Sequence, residues 1–221
     1  MILFSGILIL ISPGMPALSH ILRNPVQYEK GKPAASMFLP GTAAMENKLV
    51  YTIRRNGNEV GTILFIESIT GSRTVLKMES QVKTKFIFTF TANAKEETIY
   101  DNGIMTWSSI FRKLNGSVKA DKKTKVTGNS YTIYKGKETE IMSSYPIRYN
   151  MLSIYVAEPV NINYVYSDNF QQLVEIMKIA DHRYKIKFPD GNYNEYFYQD
   201  GICARVEIHH TLYRATIERK S

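Results

Sequence analysis

From about Lys48 onward, apolar and polar residues alternate in short runs separated by Asn-Gly and Asp-Gly pairs. Side chains of a strand point alternately to its two faces, so a period of two predicts strands, and the glycine-containing pairs predict tight hairpins. Read this way, Leu49 to Ile53 is a strand that turns at Asn56-Gly57 into Val60 to Ile66. Arg73 to Lys83 follows, and a phenylalanine-rich strand runs to about Tyr100. Asp101-Asn102-Gly103 turns the chain into Ile104 to Lys113, which carries Trp107, the one tryptophan. After Asn115-Gly116 come shorter, more polar strands at Val118 to Thr127, Tyr131 to Tyr134 and Thr139 to Met142.

The rhythm changes at Tyr145 to Tyr155. Ile147, Met151, Ile154 and Tyr155 stand at i, i+4, i+7 and i+8, the stripe of an amphipathic helix. Pro146 suits a first turn, and Pro159 forbids continuation past Glu158. The expectation is one short helix. Strands then resume at Leu173 to Ile179, Tyr184 to Phe188, Asn192 to Tyr198, Ile202 to His209 and Leu212 to Arg219, the last four forming an up-and-down meander. In Ile202 to His209 the alternation puts Ile202, Ala204, Val206 and Ile208 on one face and Arg205, Glu207 and His209 on the other. The fold class expected is mainly all-β: a large curved antiparallel sheet or open β-barrel with one short α-helix.

In the phenylalanine-rich strand, Phe86, Phe88, Phe90, Ala92 and Ala94 share a face. Such a face must be buried, either as core or as the lining of an apolar cavity. Phe86, Phe88, Phe90 and Trp107 are therefore the candidate ligand-binding residues.

A chain of 221 residues is long enough to fold around a core without disulfide or metal. It carries 15 tyrosines, which suit half-buried sheet faces. The single cysteine, Cys203, excludes an intramolecular disulfide, and its apolar neighbours Ile202 and Ala204 read as packing rather than a reactive thiol. Net charge is +8, which favours anionic surfaces without specifying one. The densest cluster, Lys119, Lys122, Lys123 and Lys125, reads as an edge strand protected by lysines.

Ile2 to Ile11 is apolar, Pro13-Gly14 follows, and Ala17-Leu18-Ser19 has the small-x-small pattern of a signal-peptidase site. Residues 1–19 are expected to be a signal peptide, with a buried N-terminal strand or helix as the alternative. Residues 20–46, with Pro25, Pro33 and Pro40, read as a linker or irregular leader, and 47–221 as a single β-rich domain. No cysteine follows the apolar run, so the exported protein, periplasmic or extracellular, is expected to carry no lipid anchor.

Candidate chemistry is thin. His209 and His210 are adjacent and point to opposite faces, so one metal cannot take both. Glu207 and His209 share a face and offer two ligands; a third is not visible, and an ordinary cross-strand charge network accounts for the pair far better. Glu96, Glu97 and Asp200 read as acids at strand ends and turns. Neither a nucleophile elbow, a phosphate loop nor a paired-cysteine motif occurs. Tyr184, Lys185, Lys187, Phe188, Tyr196 and Tyr198 interleave aromatic and basic residues, as single-strand nucleic-acid binders do, but sheet packing explains them better. The expectation is a monomer that is not an enzyme and takes no cofactor, metal or nucleic acid.

The segment Tyr51 to Gly61, the Tyr100-Asp101-Asn102-Gly103 turn, the segment Ile147 to Pro159, and Tyr184 to Gly201 with its Phe-Pro-Asp-Gly and Tyr-Gln-Asp-Gly turns together resemble a family of exported bacterial domains of unknown function. The resemblance spans about Lys48 to Lys220 and brings no catalytic residues with it. It implies an architecture similar to the periplasmic lipoprotein carriers, an unclosed barrel with an apolar concave face. The reading that follows is a structural or interaction protein of the cell envelope. The alternative is a binding or carrier module for an apolar or lipidic ligand.

Overall fold

The hairpin pairs do in three dimensions what their chemistry requires. Asn56 and Gly57 have φ of 49° and 79°, Asn102 and Gly103 52° and 71°, Asn115 and Gly116 47° and 79°. Two successive left-handed residues match the twist of the flanking strands, and Asn and Gly tolerate that region best. The computed structural model describes residues 44–85, 89–143 and 146–221, and of Lys85, Thr89 and Phe90 the backbone alone. The leader, residues 20–43 of the expected linker and the side chains of Phe86, Phe88 and Phe90 lie outside the described residues.

The first run of strands is β1 (Met45–Arg55), β2 (Asn58–Thr70), β3 (Arg73–Lys85), β4 (Thr89–Asp101), β5 (Ile104–Leu114), β6 (Ser117–Thr127), β7 (Ser130–Lys135) and β8 (Glu138–Ser143). After the helix α1 (Ser153–Val156) come β9 (Tyr164–Ser167), β10 (Gln172–Ala180), β11 (Arg183–Lys187), β12 (Tyr193–Gln199), β13 (Ile202–His210) and β14 (Tyr213–Arg219). Among the described residues they form one 14-stranded sheet, ordered β8-β7-β6-β5-β4-β3-β2-β1-β14-β13-β12-β11-β10-β9. Two antiparallel meanders are thus joined side by side where β1 meets β14, with Ile53 opposite Ile217. The sheet curls around the stretch between the meanders. Ile147, Met151, Leu152, Ile154 and Tyr155 are all buried there.

Three expectations are sharpened or corrected by the structure. First, the expected short helix is present, and it is only four residues long. Asn150 accounts for this: its Oδ1 accepts from the backbone N–H groups of Leu152 and Ser153, both at 3.1 Å, and starts the turn there. Upstream the chain is held extended. The Ile147 carbonyl accepts from Met105 N–H at 2.8 Å, and the Tyr149 carbonyl from Tyr166 N–H at 2.8 Å. Ile147 and Met151 to Tyr155 are buried while Pro146 and Arg148 are exposed, so the apolar spacing reflects a bonded, non-helical entry followed by a single turn. Second, the lysine cluster is not on an edge, because β6 lies between β5 and β7. Third, β13 changes face part-way. Tyr198 pairs with Cys203 but Phe197 with Arg205, which leaves Ala204 as the extra residue of a bulge. Cys203 therefore enters the core beside Val206 and Ile208, while Ile202 and Ala204 stay half-exposed.

The same device recurs in the other meander. Tyr100 pairs with Met105 and Ile99 with Trp107, so Thr106 is the extra residue. Met105 is driven into the core, and Trp107 goes to the outer face between Ile99 and Lys125. The two similar turns, Tyr-Asp-Asn-Gly and Tyr-Gln-Asp-Gly, are structurally equivalent: each follows an inward tyrosine and precedes a bulge. Tyr100 OH donates to Asn150 Oδ1 at 2.9 Å and Tyr198 OH to the Ile154 carbonyl at 2.7 Å. Each meander thus holds one end of the α1 segment.

Candidate functional site

The concave face has two halves. On the apolar half, Tyr155 from α1 stacks on Phe65 with ring centroids 5.8 Å apart and meets Tyr51 and Tyr196 edge-on at 5.5 and 6.4 Å. Offset and edge-on contacts of this kind add to the burial of the rings. The Cys203 thiol lies buried on this half, where burial pushes it up to about 12.

The other half is polar. On β4 the face that carries Ala92 and Ala94 continues as Glu96, Thr98 and Tyr100, all buried. Glu96 is therefore no strand-end acid. Arg112 of β5, fully buried, places Nη2 2.6 Å from Glu96 Oε1 and donates from Nη1 to Asn169 Oδ1 at 3.2 Å. Lys122 of β6 turns inward and donates to the Asn169 carbonyl. Its burial, with Arg112 nearby, lowers its ammonium to about 8. Asn150 Nδ2 donates both to Thr98 Oγ1 at 2.6 Å and to Asp168 Oδ2 at 3.0 Å. Asp168 is pushed up to about 7 by burial, with the Glu96 charge acting in the same direction. The Thr124 and Tyr166 hydroxyls lie 2.8 Å apart, and Gln171 Nε2 donates to the Lys123 and Tyr134 carbonyls at 3.3 Å. These bonds fasten the 166–171 turn onto β4–β7. Buried charges persist only when paired and hydrogen-bonded, and the turn supplies the partners.

The outer face of β11–β13 carries one member of the histidine pair, His209, and the inner side the other. His210 is buried against Tyr213 and accepts from Leu212 N–H at Nδ1, 3.0 Å, while His209 stacks on Tyr193 on the other face. Strand pairing also supplies the third acid that the linear order hides. Glu195 of β12 lies directly opposite Glu207, and one ligand atom from each of Glu195, Glu207 and His209 falls within 4.8 Å of the others. The donor set does not fit a metal well. Arg183 and Lys185 both pair with Glu195, the latter at 3.6 Å, and Arg205 pairs with Glu207 at 2.9 Å. These cations already supply the positive charge that an ion would bring, and Arg183 and Arg205 also sandwich the Phe197 ring at 4.7 and 4.2 Å. The interleaved aromatic and basic residues separate likewise: Tyr184, Phe188, Tyr196 and Tyr198 turn inward, and Lys185 and Lys187 turn out.

Of the four candidate ligand-binding residues, Phe86 and Phe88 lie outside the described residues. Phe90 pairs through its backbone with Thr84, and Trp107 sits on the outer face. Trp107 therefore does not line the concave side, because the Thr106 bulge reverses its face.

A cleft of about 420 Å³ lies outside the sheet, between the loop after α1 and the β10–β11 hairpin. Its walls include Glu158, Val160, Asn161, Asn163, Lys178 and His182. Glu158 accepts from Tyr184 OH at 2.9 Å through Oε1, and its Oε2 is 3.0 Å from His182 Nδ1. Burial alone would raise the Glu158 carboxyl, but the bonds from His182 and Tyr184 hold it below the usual carboxylate range. Nothing in the linear sequence marks this site, since its two walls are brought together only by the course of the chain.

Among the described residues no helix is long and apolar enough to cross a membrane. The architecture is that of a β-barrel-like protein, a curved antiparallel sheet wrapped around a segment of its own chain. The chain belongs to the domain of unknown function family DUF6134, whose model matches residues 51–220. A solved structure of similar fold is the β-barrel-like protein of domain of unknown function DUF1849 from Brucella abortus. It shares 9% identity, with a TM-score of 0.54, over 79% of this chain and 95% of that one. No curated protein matches the chain.

Proposed function

We propose that this is an exported, non-enzymatic structural or interaction protein of the cell envelope. The observation that carries this reading is the filling of the concave face by the chain itself. Ile154 and Tyr155, 0% and 3% exposed, occupy the position that a lipidic ligand would take in a carrier. The buried ionisable groups are engaged in fastening the 166–171 turn, and Cys203 is inert in the core. Export rests on the apolar leader and the Ala17-Leu18-Ser19 pattern.

The test is native mass spectrometry of protein purified from its own host envelope, with N-terminal sequencing of the same sample. The reading expects a mature chain beginning at His20, no retained lipid, and no turnover lost on replacing Cys203, His209 or His210. A stoichiometric lipid adduct would favour the carrier instead, and a mature chain beginning at Met1 would remove export.

A further inference from the structure

The cleft beside α1 has the chemistry of a small binding site, independent of what fills the sheet. Its volume of about 420 Å³ falls within the ~300–1,000 Å³ typical of small-molecule pockets. Its loop wall is held by its own backbone: Glu158 N–H donates to the Gly201 carbonyl and Val160 N–H to the Glu158 carbonyl, both at 2.8 Å. The Asn163 carbonyl in turn accepts from Ile176 N–H at 2.9 Å. The site is thus formed before any ligand arrives.

Its polar groups are a mixed set. Glu158 is ionised and has no proton to give, so His182 Nδ1 carries the proton and donates to it. In the neutral imidazole, Nε2 is therefore an acceptor. Asn161 and Asn163 are exposed at the rim and each offers a donor and an acceptor. Lys178 offers the donors left over from its pair with Asp181 at 2.7 Å. Val160, 59% exposed, adds an apolar strip beside Pro159.

Charge selects among ligands. Glu158 disfavours a free anion, while Lys178 disfavours a free cation. A neutral ligand whose groups both donate and accept, with an apolar face for Val160, satisfies every wall. We infer that the cleft between Glu158–Asn163 and the β10–β11 hairpin binds a neutral saccharide, whose vicinal hydroxyls pair with Asn161, Asn163, Lys178 and His182.

The test is an NMR titration of ¹⁵N-labelled mature chain at pH 7.5 with glucose, N-acetylglucosamine and N,N′-diacetylchitobiose, and separately with inorganic phosphate. At least one sugar is expected to produce saturable shifts confined to the 158–163 and 178–184 segments. Asn161→Gly and His182→Asn should each weaken that sugar about tenfold. Both replacements suit the left-handed backbone at these positions, with φ of 60° and 55°, so the fold is kept. Glu175→Gln, an exposed change elsewhere on β10, should have no effect. Absence of saturable shifts with all three sugars, equal sugar affinity in Asn161→Gly, or tighter binding of phosphate than of any sugar in this cleft would each overturn the assignment.

Discussion

Arg112 Nη2 lies 2.6 Å from Glu96 Oε1, and neither side chain reaches solvent: their exposures are 0% and 2%. The pair joins adjacent strands, β4 and β5, on the polar half of the concave face. Removing one member strands the other charge in the interior, which costs about 3–5 kcal/mol. Arg112→Met should therefore lose that much in urea denaturation. Glu96→Gln combined with Arg112→Met should be less destabilised than Arg112→Met alone, because the orphaned carboxylate is gone. A double variant worse than the single would mean that Glu96 has a second cationic partner of equal weight.

Asp168 makes stability depend on pH. Its folded value, about 7, stands above the ordinary 3.8 of an aspartic acid. Between these values the folded state holds a proton that the unfolded state has released. The Asp168 contribution to stability should therefore fall as pH rises from about 4 to about 7 and level off above that, by on the order of 4 kcal/mol. It is read as the difference between the wild type and Asp168→Asn, so that the opposite contribution of buried His210 cancels. Asp168→Asn should flatten this slope and be the more stable protein at pH 7.5. Urea titrations between pH 4.5 and 7.5 check it, a window that stays below the Lys122 titration near 8.

Tyr155 should be worth as much as a core aromatic. Its ring touches Phe65, Tyr51 and Tyr196, and truncation to alanine should cost about 3–5 kcal/mol. A loss below about 1 kcal/mol in delipidated protein would mean that the α1 segment is not integral to the core. That result would reopen the carrier reading.

Gly61 has a steric reason to be glycine. A Cβ there would lie 2.2 Å from the Gln81 carbonyl oxygen and 2.9 Å from Val82 Cα, both backbone atoms of β3. Neither can rotate away, so Gly61→Ala should cost about 1–3 kcal/mol. Gly57→Ala, where the added methyl meets nothing within 4 Å, should lose only the turn preference at its positive φ. Thermal unfolding of the two variants separates packing from backbone strain.

The local pattern was enough for the hairpins, the strand succession and the open-barrel class. Turn chemistry and period-two alternation act over a few residues, so they are written in consecutive positions. Wherever one residue was inserted the pattern misled. Thr106 and Ala204 bulge out, reversing the faces on their own strands, which moved Trp107 outward and Cys203 inward. Glu96 could have been placed correctly: it continues the alternation of Ala92 and Ala94, and parity along β4 outweighs the habit of reading acids as turn residues. Its partner Arg112 could not, because β4–β5 register selects it. Glu195 was hidden beside Glu207 for the same reason.

What the sequence determined by itself, then, is the alphabet of short strands and left-handed turns, because those preferences are properties of neighbouring residues. Tertiary structure alone decided that β1 and β14 would pair, that the stretch from Ile147 to Tyr155 would fill the sheet, and that Glu158 and His182 would meet across a cleft. Each of these joins segments far apart in the chain through burial and hydrogen bonding. Burial of that kind is set by what the whole curved sheet leaves to be covered, which no local window of sequence contains.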